Sequence, residues 1–153
     1  MLKIRNAHEE DAEIIVHFQM EMAYETEQLR LNKEQVSEGV LNVLRDVQKG
    51  RYFLAQWKDK VAGSLLITTE WSDWRNQWVL WIQSVYVLPE YRRKGIFKSL
   101  YNHVKSLAMD DKEVAGLRLY VDKSNDKAIE VYKKLGMDGD HYRVFEWMKG
   151  RKE

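Results

Sequence analysis

The stretch Ile82–Val104, IQSVYVLPEYRRKGIFKSLYNHV, changes periodicity halfway along. It begins as a strand, with Val85 and Val87 alternating with Ser84 and Tyr86. Leu88-Pro89 ends that pattern, because proline has no N–H for a ladder and biases the residue before it away from helix. A basic turn follows, Arg92-Arg93-Lys94-Gly95. Ile96, Leu100, Val104 and Leu107 then recur at helical spacing. A strand therefore feeds a helix through a short, cationic, glycine-bearing turn. The first N–H groups of such a helix have no internal acceptor, and the helix dipole adds partial positive charge there. That end suits an anion, most often a phosphate.

Upstream, Gln77 to Val87 reads as one long strand. Arg51 to Trp57 and Val61 to Glu70 read as a hairpin about Lys58-Asp59-Lys60, and Trp71 to Asn76 as the next loop. Leu2 and Ile4 alternate with Lys3 and Arg5 in a short first strand. A helix follows, with Glu9, Glu10 and Asp11 at its start, the favourable end for acid, and Ala12, Ile15, Phe18 and Met22 on its apolar side. Asn32 and Gln35 form a capping pair for a second helix, whose buried face is Val36, Val40, Val43, Leu44 and Val47. Gly39 inside it costs about 1 kcal/mol relative to alanine, and Gly50 is its expected C-terminal cap. Downstream, Gly116 to Val121 is a strand. Ser124 or Asn125 caps a helix with Ala128, Val131, Tyr132 and Leu135 on one side and Gly136 at its end. His141 to Met148 is a last strand. This order predicts one mixed α/β domain over residues 1–153. Its centre is a twisted, mostly antiparallel sheet with a single parallel β-α-β step, flanked by about four helices.

At 153 residues, 44% of them apolar and 32% charged, the chain can bury a real core. A net charge of +1 argues against bulk attraction to nucleic acid or to an anionic membrane. Any anion affinity must be local, at Arg92, Arg93, Lys94 and Lys98. No cysteine is present, which removes a thiol nucleophile and cysteine-ligated zinc and fits a reducing, cytoplasmic setting. There is no signal-like apolar core and no run long enough to span a bilayer. His8, His17, His103 and His141 show no metal-ligand spacing, so no metal is expected. Neither a G-x-S-x-G elbow nor a G-x-x-x-x-G-K-[ST] loop occurs.

Two segments carry a family resemblance: VYVLPEYRRKGIF, Val85–Phe97, and NDKAIEVYKKLGM, Asn125–Met137. The first resembles the acetyl-CoA motif V-x-P-x-[YF]-R-x-x-G-x-[GA] of the GNAT superfamily of N-acetyltransferases. The second is similar to that family's N-x-x-A-x-x-x-Y-x-x-x-G-[FM] helix. The resemblance implies acetyl-CoA as donor and a primary amine of a small molecule or peptide as acceptor, with direct transfer in a ternary complex. It implies a pyrophosphate site at Arg92, Arg93, Lys94, Gly95, Ile96, Phe97 and Lys98. The pantetheine arm would lie along the backbone of Val85, Tyr86 and Val87, where the neighbouring parallel strand splays away. Asn125 and Ala128 would adjoin the cofactor, and Tyr132 would protonate the leaving CoA thiolate. Dimers are common in the family, which leaves a homodimer open.

Two positions depart from the pattern. Phe97 replaces a small residue, so its side chain must turn away from the phosphate. Gln83 and Ser84 stand where relatives often carry an acid, leaving the base open among Glu21, Glu70, Asp73 or none. These departures motivate the alternative of a non-catalytic CoA-binding or protein-interaction module. Plainer readings accompany the sharp ones. The basic turn could be merely solvated, Tyr132 a core residue and Asn125 only a helix cap. Trp71, Trp74, Trp78 and Trp81 could line an acceptor groove or only pack a hairpin or a dimer surface, with Trp78 and Trp81 on opposite faces by parity. Glu21, Glu25 and Glu27 hint at a cationic acceptor, against the plainer reading of a solvated acidic face.

Overall fold

A computed structural model describes residues 1–150 of the chain. They form two compact units, one from Met1 to Arg118 and one from Leu119 onward. In the first unit five strands make one sheet in chain order: β1 (Leu2–Asn6), β2 (Arg51–Trp57), β3 (Lys60–Ser72), β4 (Gln77–Val87) and β5 (Val114–Arg118). β1 to β4 pair antiparallel, and β5 pairs parallel with β4. Three helices belong to this unit: α1 (Ala12–Glu27), α2 (Lys33–Arg45) and α3 (Ile96–Asp110). The mostly antiparallel sheet with one parallel step is the architecture expected from the sequence.

Alternation along the strands assigns the two faces of the sheet. Tyr52, Leu54 and Leu66 pack with Ile15 and Val16 of α1 and Val40 of α2. Phe53 points to the opposite face, where its ring meets that of His103 in α3 at 5.0 Å. Ile96, Leu100 and Val104 are the buried stripe of α3, and each such side chain removed from water contributes about 1.5–3 kcal/mol. Gly63 lets this helix begin close to the sheet. A Cβ there would lie 2.7 Å from the Tyr86 carbonyl oxygen and 3.3 Å from Ile96.

The acids before α1 do more than complement its dipole. Asp11 accepts two 2.9 Å bonds from Arg5 and a 2.7 Å bond from the His8 N–H, tying β1 to the helix start. Asn32 caps α2 by accepting from the Gln35 N–H at 3.0 Å. This helix stops earlier than expected. The Asp46 N–H donates back to the Val43 carbonyl, and its carboxylate accepts from the Gln48 N–H and the Lys49 ammonium. Val47 therefore lies outside the helix and is 77% exposed. Gly50 caps nothing; it precedes β2, where a Cβ would meet the Ile67 carbonyl oxygen at 2.8 Å.

β3 and β4 run further toward each other than the sequence suggests. Ser72 pairs with Gln77, which brings Trp71 into a strand and leaves 73–76 as the turn. β5 is displaced toward the N-terminus from the expected Gly116–Val121. Its register is set by β4, from Trp78 opposite Val114 to Trp81 opposite Arg118. In the second unit α4 (Asp126–Lys134) ends as anticipated. The Gly136 N–H donates to the Lys133 carbonyl and the Met137 N–H to the Tyr132 carbonyl, with Gly136 left-handed at φ 86°. The expected last strand is absent, as residues 141–148 pair with no described strand. Alternation supplies strand propensity, but a strand also needs a neighbour's hydrogen bonds. Without one, Phe145 is 93% exposed.

Candidate active site

The first unit builds its site on the second half of β4. Antiparallel pairing with β3 continues to Val87, opposite Gly63, whereas parallel pairing with β5 ends at Trp81. From Ile82 onward the β5-facing edge of β4 has no strand partner among the described residues. The register against β3 also slips there. Tyr86 faces Ser64 and Gln83 faces Leu66, so the single Leu65 opposes both Ser84 and Val85. Ser84 absorbs this bulge in a left-handed conformation, φ 51°. β5 itself ends at Arg118, opposite Trp81, so it does not run beside Val85, Tyr86 and Val87.

Chain direction then reverses within a few residues. The Leu88 N–H donates to the Ala62 carbonyl at 2.8 Å, and Pro89–Tyr91 form one 3-10 turn. Arg93 is left-handed at φ 65° and Gly95 at φ 78°. Gly95 is the N-cap of α3 and has no side chain to cap its first N–H groups, so these point into the turn. Its own carbonyl accepts the first helical bond, from the Ser99 N–H at 3.0 Å. Nothing lies within 4 Å of where a Gly95 Cβ would be, so its left-handed backbone, not crowding, is what calls for glycine.

The basic residues of the turn take separate directions. Arg92 donates through Nε to the Val87 carbonyl at 2.9 Å and through Nη2 to Glu25 Oε2 at 2.7 Å. The Lys94 ammonium lies 5.9 Å from the Trp57 ring centre and 5.5 Å from that of Tyr91. Arg93 and Lys98 are exposed. Ile96 contributes its backbone here while its side chain is buried in the core. The Phe97 ring is 6.2 Å from that of Tyr101, one turn further along α3. Tyr86 is buried, and its hydroxyl donates to Glu25 Oε1 at 3.2 Å. Burial, then the nearby Glu25 charge, pushes its phenol up to about 12.

Among the acids raised as a base, Glu70 is poorly suited. Its Oε1 accepts from Trp81 Nε1 at 3.0 Å and from Arg118 Nη1 at 2.7 Å. Those bonds, Trp81's first, hold its carboxyl below the usual range. Gln83 donates to Thr68 Oγ1 at 2.6 Å. The tryptophans do not form one wall. Trp71 and Trp78 meet edge to face at 4.9 Å, Trp74 is 91% exposed in the turn, and Trp81 is bound to Glu70 on the other face.

Asn125, Ala128 and Tyr132 belong to the second unit, on α4. Asn125 Oδ1 accepts from the Ala128 N–H at 3.2 Å, so the helix-cap role is present. Partial burial raises the Tyr132 phenol above its ordinary value, keeping it protonated at neutral pH. The site residues expected from the sequence thus fall into two groups, Val85–Lys98 on the first unit and these three on the second. Glu25, Trp57 and Tyr91 are the residues that sequence reading missed in the turn's surroundings. Glu25 stood only among acids at the end of α1, and no local signal links it to a position 67 residues away. Among the described residues no helix is long and apolar enough to cross a membrane, and no cluster of His, Cys, Asp or Glu could hold a metal ion.

Comparison with known proteins gives the family and the fold. Residues 7–137 match the model of the acetyltransferase (GNAT) family. A crystal structure of a possible acetyltransferase from Clostridium difficile 630 superposes with a TM-score of 0.91 at 42% identity, covering 97% of each chain. A predicted acetyltransferase from Clostridium acetobutylicum, solved with acetyl-CoA, shares the fold at 18% identity, with a TM-score of 0.75 over 95% of this chain and 96% of that one. N-alpha-acetyltransferase 50 of Danio rerio is 33% identical over 85 residues, 56% of this chain. The chain spans about half of that relative's length, 49%. A family match over residues 7–137, most of the chain, means that this chain belongs to the GNAT family of acetyltransferases.

Proposed function

We propose that residues 1–153 work as one N-acetyltransferase domain that moves acetyl directly from acetyl-CoA to a primary amine of a small molecule or peptide in a ternary complex. The observation that carries this reading is the unpaired edge of β4, which leads into a turn with two left-handed residues at an uncapped helix start. An extended pantetheine arm suits such an edge as an added strand. A pyrophosphate suits the backbone N–H groups of Arg93–Lys98. The C. acetobutylicum protein with the same fold was solved with acetyl-CoA, and acetyl-CoA is the donor the family uses.

In the proposed reaction the neutral amine nitrogen bonds to the acetyl carbon and the carbon–sulfur bond breaks. CoA leaves as a thiolate, and Tyr132 gives it a proton. The amine proton passes to water, directly or by way of Glu21 or Asp73, since Glu70 is held by Trp81 and Arg118, and solvent returns a proton to Tyr132. Most of the rate would come from holding amine and thioester together, with backbone N–H groups near Val85 polarising the carbonyl. Asn125 and Ala128 would line the cofactor. A cytoplasmic setting and a homodimer complete the proposal, the latter checked by light scattering.

Gln83 and Ser84 supply no carboxylate on β4, and this favours one second reading, a CoA-binding or interaction module without catalysis. Calorimetric titration with acetyl-CoA, followed by amine screening, separates the two. Tight binding with amine-dependent CoA release supports the enzyme. Binding with only slow, amine-independent hydrolysis supports the CoA-binding module, and no binding overturns the enzyme and leaves the interaction module.

A further inference from the structure

The first arginine of the turn is bonded to the strand and helix on either side of it. Arg92 spends its guanidinium on the last residue of β4 and on α1, through the bonds to the Val87 carbonyl and Glu25 Oε2 at 2.9 and 2.7 Å. Its Cζ lies 5.5 Å from the Tyr86 ring centre. The other Glu25 oxygen takes the Tyr86 hydroxyl at 3.2 Å, and the Tyr86 ring lies 5.3 Å from that of Phe18. One carboxylate therefore ties the end of α1, the end of the bulged strand and the entrance of the turn together. Glu25 lies in the last turn of α1, where the helix dipole disfavours an acid. Its position is explained by its partners and not by helix chemistry. The residue that follows Arg92 is left-handed Arg93, a conformation that persists only where its surroundings hold it.

We propose that Glu25 and Arg92 form a positioning strut that holds the turn in its anion-binding shape, and that Arg92 acts through this strut and not as a phosphate ligand. The cations left to meet a phosphate are then Arg93, Lys98 and Lys94, the last lying over the Trp57 and Tyr91 rings. This inference rests on the reading of the turn as a CoA pyrophosphate site.

The strut and simple charge attraction predict opposite signs. Removing the negative charge of Glu25 beside an anion site would tighten CoA binding if Coulomb attraction were all that mattered. If Glu25 positions the turn, binding weakens. The experiment titrates CoA calorimetrically into the full chain and into Glu25→Gln, Arg92→Lys and the double variant. It also follows hydrogen exchange of the Arg93–Lys98 amides without ligand. Arg92→Lys keeps the charge and loses the two-pronged geometry. Both single variants should bind CoA about five- to tenfold more weakly, as expected for a lost pre-organised site. The double variant should be no worse than the weaker single, and the turn amides should exchange faster in all three. Equal or tighter CoA binding by Glu25→Gln, or full affinity in Arg92→Lys, overturns the strut. If the unchanged protein does not bind CoA, the cofactor reading falls and takes the affinity claim with it. Unchanged amide exchange in both single variants would overturn the strut even then.

Discussion

The two halves of β4 make an instructive pair. Trp78–Trp81 lie between β3 and β5 with both edges paired, and Val79 and Leu80 are buried. Gln83–Val87 keep only the β3 side, carry the bulge at left-handed Ser84, and end in the turn with left-handed Arg93 and Gly95. One strand thus spends its first half on stability and leaves one edge of its second half without a strand partner among the described residues. A sheet edge is usually a liability. Beside a cationic, glycine-capped helix start it is the edge that we propose an extended ligand completes.

This contrast can be broken most directly at the open half. Gly95→Trp forces a bulky L-residue into φ 78°, where only glycine is at ease. Acetyl-CoA binding should fall below calorimetric detection while the far-UV spectrum keeps its native shape. Retained binding would mean that the turn is not the phosphate site. At the paired half, Leu80→Ala should cost about 2–5 kcal/mol in urea unfolding through the cavity left behind. Acetyl-CoA affinity of the folded variant should stay within about twofold, since distant sites act independently. A large affinity loss would show that the halves are not separate.

Tyr132→Phe asks whether chemistry resides on α4. Turnover should drop about a hundredfold, the lower range for a lost general acid, with acetyl-CoA affinity nearly unchanged. Loss of affinity instead would assign Tyr132 to packing. The smallest effect is expected far from both halves, at Asp11. Its carboxyl is held below the usual value first by the Arg5 hydrogen bond. A depressed folded-state value means that the stabilisation is present above the unfolded value and lost as pH falls through the folded one. Stability should therefore decline modestly below about pH 4. Asp11→Asn should flatten that part of the pH profile; an unchanged slope would discount the pair.

The turn was legible from its residues because its chemistry is local. Pro89 stops a strand, Gly95 permits a left-handed cap, and Ile96, Leu100 and Val104 repeat at helical spacing within one short stretch. The capping of α4 by Asn125 and its close at Gly136 were legible for the same reason. The end of α2 was not, because the Asp46 carboxylate, which accepts from Gln48 and Lys49, outcompeted the more conspicuous Gly50. The tryptophans could be divided by parity, yet only packing put Trp71 on Trp78 and Trp81 on Glu70.

Local periodicity and turn chemistry were therefore enough for the element order up to α4, the parallel step and the position of the basic turn before α3. Backbone preferences and helix ends act over a few residues, and a sequence displays them directly. Tertiary structure decided where β5 begins and ends, because its register is borrowed from β4. It decided that residues 141–148 have no ladder, because strand propensity supplies no partner. It also decided that Arg92 turns toward Glu25, because the end of α1 is brought to the turn only when both helix and strand pack on the same sheet.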